Sequence, residues 1–133
     1  MIIRTTYFNN LKNVSEGANV ISIARSCPSW FGGREYKSLA PSVDLIDIWK
    51  KDYNAEKYIE RYMTEVILNL DLEKVLAELG SNPILVCHCG KKKKHFPVIS
   101  WDIPQLDKFE FCHRHLVAYS FETSGLGVKT EEL

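Results

Sequence analysis

The sequence predicts a layered α/β fold: a single domain over residues 1–133, built as a small, mostly parallel, Rossmann-like sheet flanked by helices. Two observations carry this. Residues 20–24 form a β-branched, mostly apolar run and residues 83–87 a second strand-like run, as expected of buried strands. Between them Tyr58, Ile59, Tyr62, Met63, Val66, Ile67 and Leu70 repeat at the three-and-four spacing of one buried helical face. Strands that alternate with helices favour a sheet covered by helices.

The other elements follow from local signals. Residues 2–6 suit a short strand, and residues 10–19 are polar with Gly17, a loop. Pro28 and the pair Gly32-Gly33 make 25–33 a second loop. Ser42 is placed to cap a helix over 43–51, with Leu45, Ile46 and Trp49 on its apolar stripe. Asp71 caps a further helix carrying Leu72, Val75, Leu76 and Leu79, which Gly80 closes. A polar loop is expected over 90–110 and a last helix over 111–122, ending near Gly125. The tail, 126–133, reads as either an edge strand or a loose end.

A formal net charge of zero excludes a wholly basic nucleic-acid footprint and leaves room for a local patch. No apolar run reaches membrane-spanning length. The first residues lack the apolar core of a secretory signal, so a cytoplasmic location is expected. In a reducing compartment the cysteines are expected as free thiols or metal ligands.

All four histidines and three of the four cysteines lie between residues 87 and 115. They fall into Cys87-His88-Cys89 and Cys112-His113-Arg114-His115, with His95 between. Ligands of open α/β sheets collect beyond the carboxyl ends of strands. If the strands 20–24 and 83–87 are neighbours, Arg25, Cys27, Cys87, Cys89, Cys112 and Arg114 converge there. Cys112, at a helix start, is a candidate nucleophile, with His113 beside it as a possible base. Arg25, Cys27 and Arg114 are candidate binders of a small anionic or nucleotide-like ligand, since a helix N-terminus and guanidinium groups both favour anions. A buried structural role for Cys112 is the alternative, because Cys112, Leu116 and Tyr119 share a helical face.

A zinc or other soft-metal site competes with these readings. Cys87 and Cys89 point the same way along a strand, and Cys112 and His115 lie on adjoining helical faces. Two ligands from each segment complete a tetrahedral set, Cys87, Cys89, Cys112 and His115, with His95 as a substitute for His115. His88 is expected to face away from the two flanking cysteines. Lys91 to Lys94 read as a solvated run or a patch over an anion pocket. Trp30, Phe31 and Trp101, on loops, are candidates to stack on a ring-shaped ligand or to plug the core. Tyr58 and Tyr62 fit the packing stripe. Asp102, Asp107 and Glu110 carry no spacing that selects one as an acid or base.

Several segments together resemble the domain of unknown function 488 family. They are residues 21–24 with the following Pro-Ser-Trp-Phe-Gly-Gly loop, Tyr36 to Ser42, Tyr58 to Tyr62, the strand ending in Cys87, and Phe111 to Ala118. The Cys112-His113-Arg114 segment is the most specific of these. The resemblance implies a compact α/β protein with that helix start near its functional centre, and it supplies no substrate. The family commonly carries a glutamate two residues after the strand cysteine and a short connection to Cys-His-Arg. Here Cys89 and a long lysine-bearing loop stand instead, which replaces a possible base with a soft ligand.

Overall fold

The computed structural model describes residues 1–52, 54–88 and 112–133. Its centre is set by two strands whose neighbouring positions are buried alike. Strand β1 (Ile2–Tyr7) buries Ile3, Thr5 and Thr6. Strand β4 (Ile84–Cys87) buries all of its residues. Successive side chains point to opposite faces, so both strands are covered on both sides. Strands β2 (Val20–Ser22), β3 (Arg34–Glu35) and β5 (Lys129–Glu132) complete a five-stranded sheet in the order β3-β2-β4-β1-β5. Every pairing is parallel. The tail is thus an edge strand, with Ile2 opposite Lys129 and Thr5 opposite Glu132.

Parallel strands require long connections, and three helices lie in the one from β3 to β4, which β2 separates in the sheet. Helix α1 (Val43–Asp52) starts where the Ser42 hydroxyl accepts the Leu45 N–H at 3.1 Å. Helix α2 (Ala55–Glu65) is capped by Asn54, and α3 (Leu72–Leu79) by Asp71, which accepts the N–H groups of Glu73 and Lys74 at 3.1 and 3.3 Å. Gly80 ends α3 at φ 82°, a backbone conformation that side-chain-bearing residues adopt at a cost. The long stripe from Tyr58 to Leu70 is broken: α2 stops at Glu65 and a 3₁₀ turn covers Ile67–Asn69. Asn69 explains the break, since its side-chain amide takes the Glu65 carbonyl at 2.8 Å and competes with the helix for it.

Helix α4 (His113–Glu122) packs on β1, β4, β5 and α2. Its residues from His113 to Ala118 are all buried. The core between these layers includes Ile3, Ile21, Ile23, Leu45, Leu79, Leu85, Leu116 and Phe121. Tyr62 is wholly buried there and its hydroxyl donates to the Leu39 carbonyl at 2.6 Å. No helix among the described residues is long and apolar enough to cross a membrane.

Candidate functional site

Strands β2 and β4 are direct neighbours, with Ile21 opposite Leu85 and Ser22 opposite Val86. Their carboxyl ends therefore open into one space, where the α4 N-terminus also arrives. A pocket of about 440 Å³ lies there. Arg25 and His88, from the loops after the two strands, line it, as do Cys112 and His113 from α4. The opposite wall comes from α1 and α2, through Trp49, Lys50 and Tyr58. Trp49 and Tyr58 meet edge to face, with ring centroids 5.2 Å apart. The Arg25 guanidinium donates to the Pro41 carbonyl at 2.9 Å and the Ala40 carbonyl at 3.4 Å, which fixes its loop against the start of α1. Among the described residues no carboxylate lines the pocket, and neither Arg25 nor Lys50 makes an ion pair.

At the inner end of the pocket Cys87, Cys112 and His113 place their ligand atoms within 4.8 Å of one another, an arrangement that can hold a metal ion. The Sγ atoms of Cys87 and Cys112 are 2.7 Å apart, and Nδ1 of His113 is 3.6 Å from Sγ of Cys112. Nε2 of His113 lies 2.7 Å from the Ile23 carbonyl oxygen, which can only accept. The neutral ring thus carries its proton on Nε2 and turns the Nδ1 lone pair to the sulfurs. Burial pushes the His113 pKa down to about 4, so the ring is neutral at neutral pH. A backbone carbonyl on the far nitrogen is the usual support of a metal-ligating histidine. Cys112 is disulfide-bonded, whereas Cys87 and Cys27 are free thiols. This differs from the free Cys112 thiol that a reducing compartment predicts, and a metal meets this sulfur only after reduction.

The other half of the same helical turn is committed elsewhere. Arg114 is wholly buried, and its Nε and Nη2 donate to the Glu132 carboxylate at 3.0 and 2.7 Å. Its Nη1 donates to Sγ of Cys87 at 3.2 Å, and its guanidinium sits 5.9 Å from the Tyr7 ring centroid. His115 accepts the Cys112 backbone N–H on Nδ1 at 3.0 Å, as the return arm of a capping box, and points Nε2 at Glu132, 3.6 Å away. Burial alone would raise the Glu132 pKa, but the His115 ring and the Arg114 guanidinium prevail and hold it at about 2. Thr5 adds a hydroxyl donor to the same carboxylate at 2.6 Å.

These placements revise the predicted site. Arg25, Cys112 and His113 border the pocket, but Arg114 does not, because β5 delivers a carboxylate that a buried guanidinium needs. The cluster takes His113 where His115 was expected. Cys27 belongs to neither group: its thiol meets the Ser22 hydroxyl at 3.2 Å and Glu35 at 3.3 Å. His88 lines the pocket, with its ring against Phe8 (centroids 4.8 Å apart) and Nε2 at 2.5 Å from the Ser26 carbonyl oxygen. Trp30 and Phe31 also pack on Phe8. Cys89, His95, the lysines 91–94, Trp101, Asp102, Asp107 and Glu110 lie outside the described residues. Lys50, Trp49 and Tyr58 were not singled out as pocket residues, because the helical stripe explains both aromatics as packing and a lysine at a helix end is ordinary.

Fold and site define a parallel α/β protein with a cysteine–histidine cluster at the floor of a strand-end pocket. No family model, curated protein or solved structure matches the chain.

Proposed function

We propose that this chain binds a small anionic ligand, nucleotide-like in carrying a ring, in the pocket between β2, β4 and α1. The observation that carries this reading is the pairing of Arg25 and Lys50 around an aromatic-walled cavity that no described carboxylate lines. Two cations with no ion-pair partner among the described residues attract a phosphate or carboxylate, and the Trp49–Tyr58 wall suits a planar group. The α4 N-terminus adds backbone dipoles of the same sign. The resemblance to the domain of unknown function 488 family points to the same helix start. Calorimetric titration of adenosine monophosphate and inorganic phosphate into wild type, Arg25→Ala and Lys50→Ala tests the reading. Each substitution is expected to weaken binding about tenfold, the usual scale for losing one charge-assisted contact. Equal affinities in all three proteins would remove the pocket from the account.

A second reading, zinc held by Cys87, Cys112 and His113, is favoured by the ring orientation of His113. Zinc bond lengths place a sulfur and a nitrogen ligand about 3.6 Å apart and two sulfurs about 3.8 Å apart in a tetrahedron. The Cys112–His113 separation of 3.6 Å already fits. The two sulfurs, 2.7 Å apart, have to open by about 1 Å once Cys112 is reduced. Arg114 on Cys87 then offsets part of the thiolate charge. A nucleophilic role for Cys112 has less support: it also requires reduction, and His113, held at about 4, is a weak base at neutral pH.

A further inference from the structure

Two sulfurs in different chemical states meet at the floor of the pocket. Cys112 is disulfide-bonded, and Cys87 is a free thiol. Their Sγ atoms are 2.7 Å apart. Ordinary contact between heavy atoms is roughly 3.5–4.0 Å, and a disulfide bond is about 2.0 Å. The free thiol therefore stands closer to the bonded sulfur than packing alone brings two side chains.

A sulfur in a disulfide is an electrophile, and the group that attacks it is another sulfur. Cys87 is held for that approach. It ends β4 and has no exposed surface. Nη1 of Arg114 donates to its Sγ at 3.2 Å, and Arg114 is itself fixed by the Glu132 carboxylate. A guanidinium at that distance supports the negative charge that an attacking sulfur carries. Cys112 is anchored from the other side as the N-cap of α4, where its backbone N–H donates to Nδ1 of His115 at 3.0 Å. A strand end thus presents the thiol, and a helix start presents the bonded sulfur. Cys27 has neither support, since its thiol meets Ser22 and Glu35 instead.

We infer that the floor of the pocket is an internal thiol–disulfide exchange site, in which Cys87 attacks Sγ of Cys112. The bond that forms joins the sulfurs of Cys87 and Cys112. The bond that breaks is the one between Cys112 and its present partner sulfur. Cys87 gives up its proton as it attacks. The displaced sulfur leaves with the electron pair of the broken bond and takes up a proton, so no outside oxidant or reductant is consumed. The new disulfide ties the end of β4 to the start of α4, at the floor of the cavity that Cys112 lines. The exchange belongs to the oxidised chain and does not depend on the anion reading, whereas the zinc reading belongs to the reduced chain.

Capture of the displaced thiol in the folded, full chain tests it. Unreduced wild type is held at neutral pH with N-ethylmaleimide, which caps a thiol as it is released. Samples are quenched in acid, digested with pepsin and mapped by mass spectrometry. The expected result is a Cys87–Cys112 linked peptide that accumulates with time, matched by label on the cysteine that Cys112 has released. Both should be lost in Cys87→Ser, with Cys87→Ala as the second variant, and both should be kept in Cys27→Ser. Wild type in which Cys112 stays on its first partner while Cys87 is recovered as a thiol throughout would overturn the exchange. Recovery of Cys112 as a free thiol from unreduced protein would also overturn it, because no bond would be there to exchange, and the zinc reading would survive that result.

Discussion

Cys112 and His113 open onto the pocket, whereas Arg114 and His115, the next two residues of the chain, are turned to Glu132. All four are buried, and all four are chemically able to ligate, bind or transfer protons. What separates them is rotation: each helical residue advances about 100° around the axis, so one turn shows chemistry-bearing groups to two different compartments. One compartment is a cavity. The other is filled by a carboxylate from β5. The difference teaches that a residue cluster in sequence is two clusters in space once a helix passes through it, and that the partner across the sheet decides which half stays available.

The largest expected effect falls on the filled side. Glu132→Ala strips the counter-charge from a guanidinium with no exposed surface, and loss of one partner from a buried ion pair costs about 3–5 kcal/mol. Urea unfolding of the two proteins measures it. A loss under about 1 kcal/mol would mean that Arg114 finds water or another acceptor, and the division of the turn would fail.

The pH dependence is next in size. Glu132 is held at about 2 against an ordinary 4.5, so it binds its proton less readily folded than unfolded. Its contribution is present in full above about pH 4.5 and is lost as pH falls towards 2, because there the unfolded chain takes up the proton first. The shift corresponds to about 3 kcal/mol at most. The difference in unfolding free energy between wild type and Glu132→Gln, followed across that window, should shrink as the pH drops. A difference that stays constant would show that the carboxylate is not what stabilises the pair.

The smallest effect is expected at Cys27. It touches Ser22 and Glu35, outside both compartments, so Cys27→Ser should change stability by no more than about 0.5 kcal/mol and leave metal and anion binding as they were. Loss of bound metal in that variant would bring Cys27 into the site after all.

Much of this arrangement was legible in the sequence. The apolar runs at 20–24 and 83–87 located the two central strands, and their adjacency put Arg25 and Cys112 at one mouth. Ser42, Asp71 and Gly80 marked helix ends through side-chain and backbone chemistry that is local. The choice between His113 and His115 was not legible, because it turns on where α4 begins. A start at Phe111 and a start at His113 differ by two residues, about 200° of rotation, and periodicity does not fix ends that closely. The partner of Arg114 was hidden for another reason. Residues 126–133 read as either an edge strand or a loose end, with nothing to single out Glu132, and only pairing with β1 carries Glu132 beneath α4. Long-range pairing of that kind leaves no local pattern.

The two halves of the turn are compared most directly by the zinc content of reduced, zinc-replete protein in three forms: wild type, His113→Ala and His115→Ala. The account predicts about one equivalent of zinc in wild type and in His115→Ala, the latter with a cap weakened by about 1 kcal/mol, and little zinc in His113→Ala. Zinc kept by His113→Ala and lost by His115→Ala would reverse the assignment. Less than about a tenth of an equivalent in all three would contradict the metal centre itself.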